Sequence, residues 1–519
     1  MSILSAKLLL PQISTLASAS ASSILSKTSG SLSPIATLSG TSSPKVIPVP
    51  PSSPSLATKP KWSRQMSITV PLYRTALDTT KTSVKYSRSL LSFIPTAVPD
   101  SIQVTNVKFP RRSDYILDGM TAEQAKGNVN AEWVVHGAAV DAEWKRLRGL
   151  KTRTSVSNAG PNSSSPSKLS TSASSSFSLS NVLPKSHPEE TIILYFHGGA
   201  YFMGSPSTTR NLTSLFSEHS GSRVLSVGYR LAPEHPFPLP LHDAISAYLS
   251  LIDPPAGKGM QKFKSEQVVL AGDSAGGGLA IALALWIRDN GGTKWKKPAG
   301  IVALAPWLDL THSQPSFHLN TLDYIPPTVA DPSHITSSRS HYYTTDDILN
   351  SHPYVSPLFA KDDPLDKSTQ LPPTLIQLGS RERLRDEGLM FAGESFKNSP
   401  MRVEIYEDMV HIFQAFAAKG EEIAIDALKR VGGFIRHLNG GSSDAIEETT
   451  TSVISHPTKK GFLYVSAGSV TEIGRAAAMG IIAEAREELA SQLNKDGESR
   501  GGLEFDEVET ESVAYHRTT

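Results

Sequence analysis

At 519 residues the chain is long enough for one large domain with appendages, and a hydrophobic fraction of 39% suits a globular protein. Its 50 Lys and Arg against 49 Asp and Glu leave a net charge of +1, which gives no case for nucleic-acid binding. With no cysteine, disulfides, thiolate metal sites and cysteine nucleophiles are excluded. Residues 1–75 are rich in Ser, Thr, Pro and Ala, and the first acidic residue is Asp78. That composition predicts a disordered segment that activity does not need. An acid-free, Ser-rich start is also how a mitochondrial presequence reads, yet the first arginine is Arg64. Leu8-Leu9-Leu10 is too short for a secretory core, and Pro11 stops it. No apolar run reaches the roughly 18 residues of a membrane span. The expected location is intracellular and cytoplasmic, with organelle targeting by the N-terminal segment left open.

The basic run from Lys145 to Arg153 reads as a solvated helix end, with peripheral contact to an anionic membrane surface as the minority reading. A Ser-rich, acid-free stretch at 152–186 reads as a long surface loop. After it, apolar runs at 191–196, 223–228, 268–271, 300–304, 374–378 and 402–406 alternate with helical patterns. This alternation predicts a mostly parallel sheet with helices on both faces. The tail from 441 opens with a Gly/Ser linker and carries an Ala-rich amphipathic pattern from Ile473 to Leu493. Its role is not readable.

Two of these strands end in glycine-rich turns with chemical content. Ile192 to Phe196 runs into His197-Gly198-Gly199-Ala200, whose backbone N–H groups can hold an oxyanion. Val268 to Ala271 runs into Gly272-Asp273-Ser274-Ala275-Gly276. This G-x-S-x-G turn lifts a nucleophilic serine clear of a sheet, and the apolar helix pattern of Leu279 to Ile287 follows it. The nucleophile needs unusual backbone angles, which explains the flanking glycines. A base must lie late in the chain, in the order Ser, acid, His. Val403 to Tyr406 reads as a strand, and after a short turn His411 opens an apolar segment, so His411 is the expected base. The orienting carboxylate belongs just beyond the strand Leu375 to Gly379. Glu382 is nearest that end. Asp386 is the alternative, and with Glu387 it falls in a helical first turn where acids are favoured anyway. Asp273 is expected to make a structural hydrogen bond, and Arg230, Glu234 and Asp243 a bracing network. No His/Asp/Glu set shows metal spacing. His312, His318, His334, His341 and His352 read as loop or lid surface.

These residues resemble the hormone-sensitive-lipase-like branch of the α/β-hydrolases. Beyond the two turns, Tyr229-Arg230-Leu231-Ala232-Pro233-Glu234-His235-Pro236-Phe237-Pro238 with Asp243 is similar to that branch's signature between them. Pro306 to Leu310, Val355 to Phe359 and Leu384 to Gly388 are similar to its later blocks. The resemblance covers roughly residues 100–440. Two positions depart from it: Ala200 stands where a third glycine is usual, and Glu382-Arg383-Leu384 stands for Asp-Pro-Leu.

The resemblance implies an α/β-hydrolase domain over 85–440 with a helical cap from about 85–150 and 311–355, leaving 441–519 as a C-terminal extension. It implies an oxyanion hole at Gly198, Gly199, Ala200 and Ala275, with Gly198 shaping the turn and the other three as donors. Met203, Phe237, Trp307, Tyr324, Tyr342 and Tyr343 are candidates for the substrate pocket. The activity implied is serine-dependent hydrolysis of short- to medium-chain acyl or acetyl esters, including lipid or steryl esters, without a cofactor. The alternative is an amide or carbamate hydrolase. A small-molecule receptor on this scaffold is a third reading, against which His411 speaks. The oligomeric state is not readable.

Overall fold

The structure is a computed structural model that describes residues 59–78, 84–91, 98–137, 191–255, 261–292, 294–326, 343–438, 460–467 and 469–500. The basic run at 145–153, the Ser-rich stretch at 152–186 and Tyr342 lie outside them. The six apolar runs form strands Ile192–Phe196 (β3), Arg223–Gly228 (β4), Val268–Asp273 (β5), Gly300–Leu304 (β6), Thr374–Gly379 (β7) and Met401–Tyr406 (β8). They pair in parallel in the order β4-β3-β5-β6-β7-β8. Nearly every residue in them is buried, as an apolar run covered on both sides requires.

Helices cover both faces. Leu239–Ile252 (α4) and Ala275–Asn290 (α5) fill one side, buried along nearly their whole length. Arg210–Ser220 (α3) and Glu422–Leu438 (α8) lie on the other with Leu212, Phe216, Val431 and Ile435 turned inward. This is the expected α/β-hydrolase architecture.

Three boundaries differ from those read in the sequence. Within the stretch assigned to the cap, Ile102–Pro110 (β1) and Asn128–His136 (β2) are antiparallel strands, and β2 adds to the sheet beside β4. Val129 and Ala131 are buried while Asn128 and Asn130 are exposed, a period of two over the first half of the strand, and from Ala131 to Val135 every residue is buried.

The N-terminal segment is not disordered up to 75. Arg64–Asp78 (α1) buries Met66 and Val70, one helical turn apart, in the core cluster that holds Phe413 and Phe416, and its Tyr73 ring meets that of Phe416. Its entry is tied down by Lys61 N–H and Trp62 Nε1, which donate to the Asp408 side chain and carbonyl at 2.9 and 2.6 Å. The next helix, Val84–Leu91 (α2), carries Arg88. Its guanidinium donates to the carbonyls of Phe202 and Ala232 and to the Glu234 carboxylate.

Nor does the domain stop at 440. Gly461–Ser466 (β9) joins β8 in parallel and Ser469–Ile473 (β10) turns back on it, completing a ten-stranded sheet. Phe462, Tyr464 and Val465 are buried there. The final helix, Arg475–Arg500 (α9), packs Ala478, Ile481 and Ile482 into the main core. Its nearest helical neighbours are Pro315–Leu319 (α6) and Arg385–Met390 (α7). No described helix is long and apolar enough to cross a membrane.

Candidate active site

The carboxyl ends of β3, β5, β7 and β8 converge, and the loops that leave them carry the chemistry, as in open parallel sheets generally. Ser274 follows β5 with φ 52° and ψ −123°, a conformation that costs about 1–3 kcal/mol and must be held from outside. Its N–H donates to the Leu304 carbonyl at 2.9 Å, and its own carbonyl accepts from Gly278 and Trp307 N–H. Gly276 makes the turn possible, because a Cβ there would run into the carbonyls of Phe196 and His197.

His411 hangs from the loop after β8, between the left-handed residues Asp408 and Ile412. Its Nε2 lies 2.9 Å from Ser274 Oγ. Behind it, Glu382 from the loop after β7 places Oε2 3.9 Å from His411 Nδ1. That is longer than a hydrogen bond. Glu382 is fully buried, and among the described residues its two carboxylate oxygens and His411 Nδ1 have no hydrogen-bond partner. Burial, reinforced by the charge of Asp323, pushes the Glu382 carboxyl well above the usual range. Burial also lowers the imidazole of His411 to about 3. Each group resists carrying charge alone, so the pair gains most when both charges appear together. Asp386 is engaged elsewhere: its carboxylate accepts from Arg385 Nε at 2.7 Å and Ser316 N–H at 2.9 Å. The structure thus gathers Ser274, His411 and Glu382 and leaves Asp386 outside the group.

The turn after β3 runs Gly199, Ala200, Tyr201 with φ of 114°, 49° and 63°. Phe202 and Met203 N–H both donate to the Gly199 carbonyl and close it. Gly198, read as the residue that shapes the turn and not as a donor, gives its N–H to Asp273 Oδ1 at 3.0 Å. Asp273 also accepts the Tyr195 hydroxyl at 2.5 Å, and burial raises it to about 6. It is a structural acceptor, as expected. Among the described residues nothing accepts the N–H of Gly199, Ala200 or Ala275. His197 sits beneath the turn, stacked on Tyr229 at 4.3 Å, with burial lowering its pKa to about 4.

Aromatic rings pack against one another beside the turn after β3. Tyr201 stacks on Tyr343 at 3.7 Å and faces Trp307 at 6.1 Å, and Phe237 meets Tyr343 edge-on. Met203 and Ala200 pack with Phe202 and Ala232, while Tyr324 stands edge-on to His411 at 5.9 Å. His312 is buried rather than a surface residue, and its ring lies between Trp307 and Phe317. Arg230 and Arg111 share the buried Asp243 carboxylate, and Glu234 is held by Arg88. Three residues were passed over in the sequence: Tyr201, Arg88 and Asp323. Only Tyr201 has a local signal, its place directly after the glycine turn.

A nucleophile elbow at the end of a parallel strand, faced by a histidine and a turn of free N–H groups, defines an α/β-hydrolase. The sequence pattern of the α/β-hydrolase fold family matches residues 193–415. An esterase of Acinetobacter venetianus is 34% identical over 250 residues, 48% of this chain and 75% of that protein. An acetyl-hydrolase of Streptomyces hygroscopicus is 34% identical over 249 residues, 48% of this chain and 76% of that one. The crystal structure of an esterase from the bacterial hormone-sensitive lipase family superposes with a TM-score of 0.50 at 25% identity, over 73% of this chain and 99% of that one. The chain belongs to the hormone-sensitive-lipase-like branch of the α/β-hydrolases and is a carboxylic ester hydrolase.

Proposed function

We propose that the protein hydrolyses carboxylic esters with short acyl groups through a Ser274–His411–Glu382 relay and a covalent acyl-enzyme. The observation that carries this reading is the 2.9 Å approach of His411 Nε2 to Ser274 Oγ with Glu382 behind Nδ1. His411 Nε2 takes the hydroxyl proton as Oγ attacks the ester carbonyl. The carbonyl π electrons move to oxygen, and the N–H groups of Gly199, Ala200 and Ala275 stabilise that oxyanion. Collapse breaks the C–O bond to the alcohol, which leaves with the proton from His411. Water then repeats the sequence on the acyl-enzyme and returns the proton to Ser274. The imidazolium formed in each half-reaction is the charge that Glu382 complements, and the 3.9 Å gap closes most favourably then.

The preference for short acyl groups is inferred from the tight packing of Tyr201, Tyr343 and Trp307 next to the turn after β3, all buried, and from the acetyl-hydrolase among the relatives. The test is hydrolysis of p-nitrophenyl esters from acetate to palmitate, with Ser274→Ala as the blank and the matching anilides alongside. Turnover that peaks at short chains and vanishes in the blank is expected. Activity that survives Ser274→Ala removes the relay. A higher rate on the anilides than on the esters moves the substrate to amides.

A further inference from the structure

The loop that carries Glu382 and the loop that carries His411 leave neighbouring strands, and one side chain from a third segment joins them. Asp323 follows α6 and is 1% exposed. Its Oδ2 accepts the N–H of Arg383 at 2.7 Å, the residue directly after Glu382. Its Oδ1 accepts the N–H of His411 itself at 3.2 Å and that of Tyr324 at 2.8 Å. One carboxylate therefore fixes the backbone at the acid and at the base together.

The segment from α6 onward is bound to the acid loop along its length. Ser316 N–H and Oγ exchange hydrogen bonds with Asp386, and Oγ also donates to the Arg383 carbonyl. Asn320 Nδ2 donates to the Glu382 carbonyl at 2.6 Å. The Arg383 side chain returns to the carbonyls of Phe317 and Ile325. Among the hydrogen bonds described for this zipper, only those of Asp323 reach across to the histidine.

We propose that Asp323 is a positioning residue for ester hydrolysis, setting the spacing between Glu382 and His411 by holding the N–H groups of Arg383 and His411 on one carboxylate. The proposal rests on the reading of Glu382 as the acid. A carboxylate suits the task because both oxygens accept, and three N–H donors converge on them. An amide of the same shape turns one of those acceptors into a donor that faces an N–H. Such bonds to an ion are about twice as strong as neutral ones. The gap to be governed is the 3.9 Å between Glu382 Oε2 and His411 Nδ1, and misplacement of a reacting group by about 1 Å costs on the order of a hundred-fold in rate.

The test measures kcat and KM on p-nitrophenyl butyrate, per active site titrated with a phosphonate ester, for Asp323→Asn, Glu382→Gln and the double variant. The expected result for Asp323→Asn is a kcat lower by about ten- to a hundred-fold with KM within about two-fold. On the Glu382→Gln background the same substitution should cost less than about two-fold, because the spacing it sets no longer matters. Asp323→Ala serves as the harsher variant if it folds, and titration removes any loss of folded enzyme from the comparison. An unchanged kcat per titrated site for Asp323→Asn overturns the proposal, and so does an undiminished loss in the double variant. If Glu382→Gln itself is fully active, the acid assignment fails instead, which is a separate outcome.

Discussion

Replacement of Glu382 by Gln keeps the shape of the side chain and removes its charge. The carboxylate oxygen lies 3.9 Å from His411 Nδ1 in a site closed to water. At that distance, and with the effective dielectric of about 20 that suits buried groups, a unit ion pair is worth about 4 kcal/mol. The imidazolium exists only while the serine proton is on His411, so nearly all of this falls on the transition state. The expected loss is about three decades in kcat with KM little changed. Asp386→Asn, whose carboxylate faces Arg385 and Ser316, should cost less than about ten-fold per active site. The assay is release of p-nitrophenol from the butyrate ester, normalised by phosphonate titration. A Glu382→Gln enzyme within ten-fold of the parent, or a larger loss in Asp386→Asn, would refute the assignment.

The pH profile gives a second check, since a carboxyl with a raised pKa loses its anion as pH falls through that raised value. The parent should therefore lose kcat/KM on an acid limb above the ordinary carboxylate range, belonging to the Glu382–His411 pair. With Glu382→Gln the residual activity should depend on His411 alone, whose pKa is lowered to about 3, and stay flat from about pH 8 to pH 5. A residual limb at or above the ordinary histidine value contradicts this. Ala200→Gly should retain activity within a few-fold, because the donor is the backbone N–H. Its stability should shift by less than about 1 kcal/mol, the relief of a left-handed Cβ residue being offset by unfolded-state entropy; a large loss of kcat would mean that the methyl group shapes the site. Removal of residues 1–58 should leave specific activity unchanged, whereas removal of 1–78 strips Met66 and Val70 from the core and should lower thermal stability by several degrees. Equal melting temperatures for the two truncations would show that α1 is dispensable.

The six core strands and both glycine turns were legible because a buried parallel strand is an unbroken apolar run and an elbow needs glycine on each side. Ser274, His411 and Glu382 were read from their place just beyond strand ends, and the fold brings the three side chains together. β1 and β2 were missed although Val129, Ala131 and Trp133 alternate with polar residues: the cap assignment drawn from the family resemblance took precedence over the local period. β9 and β10 were missed because a Gly/Ser linker suggests an end, while the pairing of Phe462 and Tyr464 with β8 is a long-range event. Gly198 was read as shaping the turn, but only the fold brings Asp273 beneath its N–H. Asp323 has no signature at all. Its role arises where a loop from one part of the chain meets two others, and no spacing in the sequence encodes that meeting.

The place of β9 has a consequence for how the chain reaches its native state. β8 carries Glu404 and Arg402 in a buried polar cluster with Gln377 and Tyr406, and among the described residues its outer edge is paired only by residues 461–465. During synthesis every residue of the relay therefore emerges before the strand that closes this edge. Until then β8 presents unpaired N–H and C=O groups, a template for joining the same strand of another nascent chain. Chains stopped short of Gly461 should consequently be recovered as aggregates even though they hold a complete set of reacting groups.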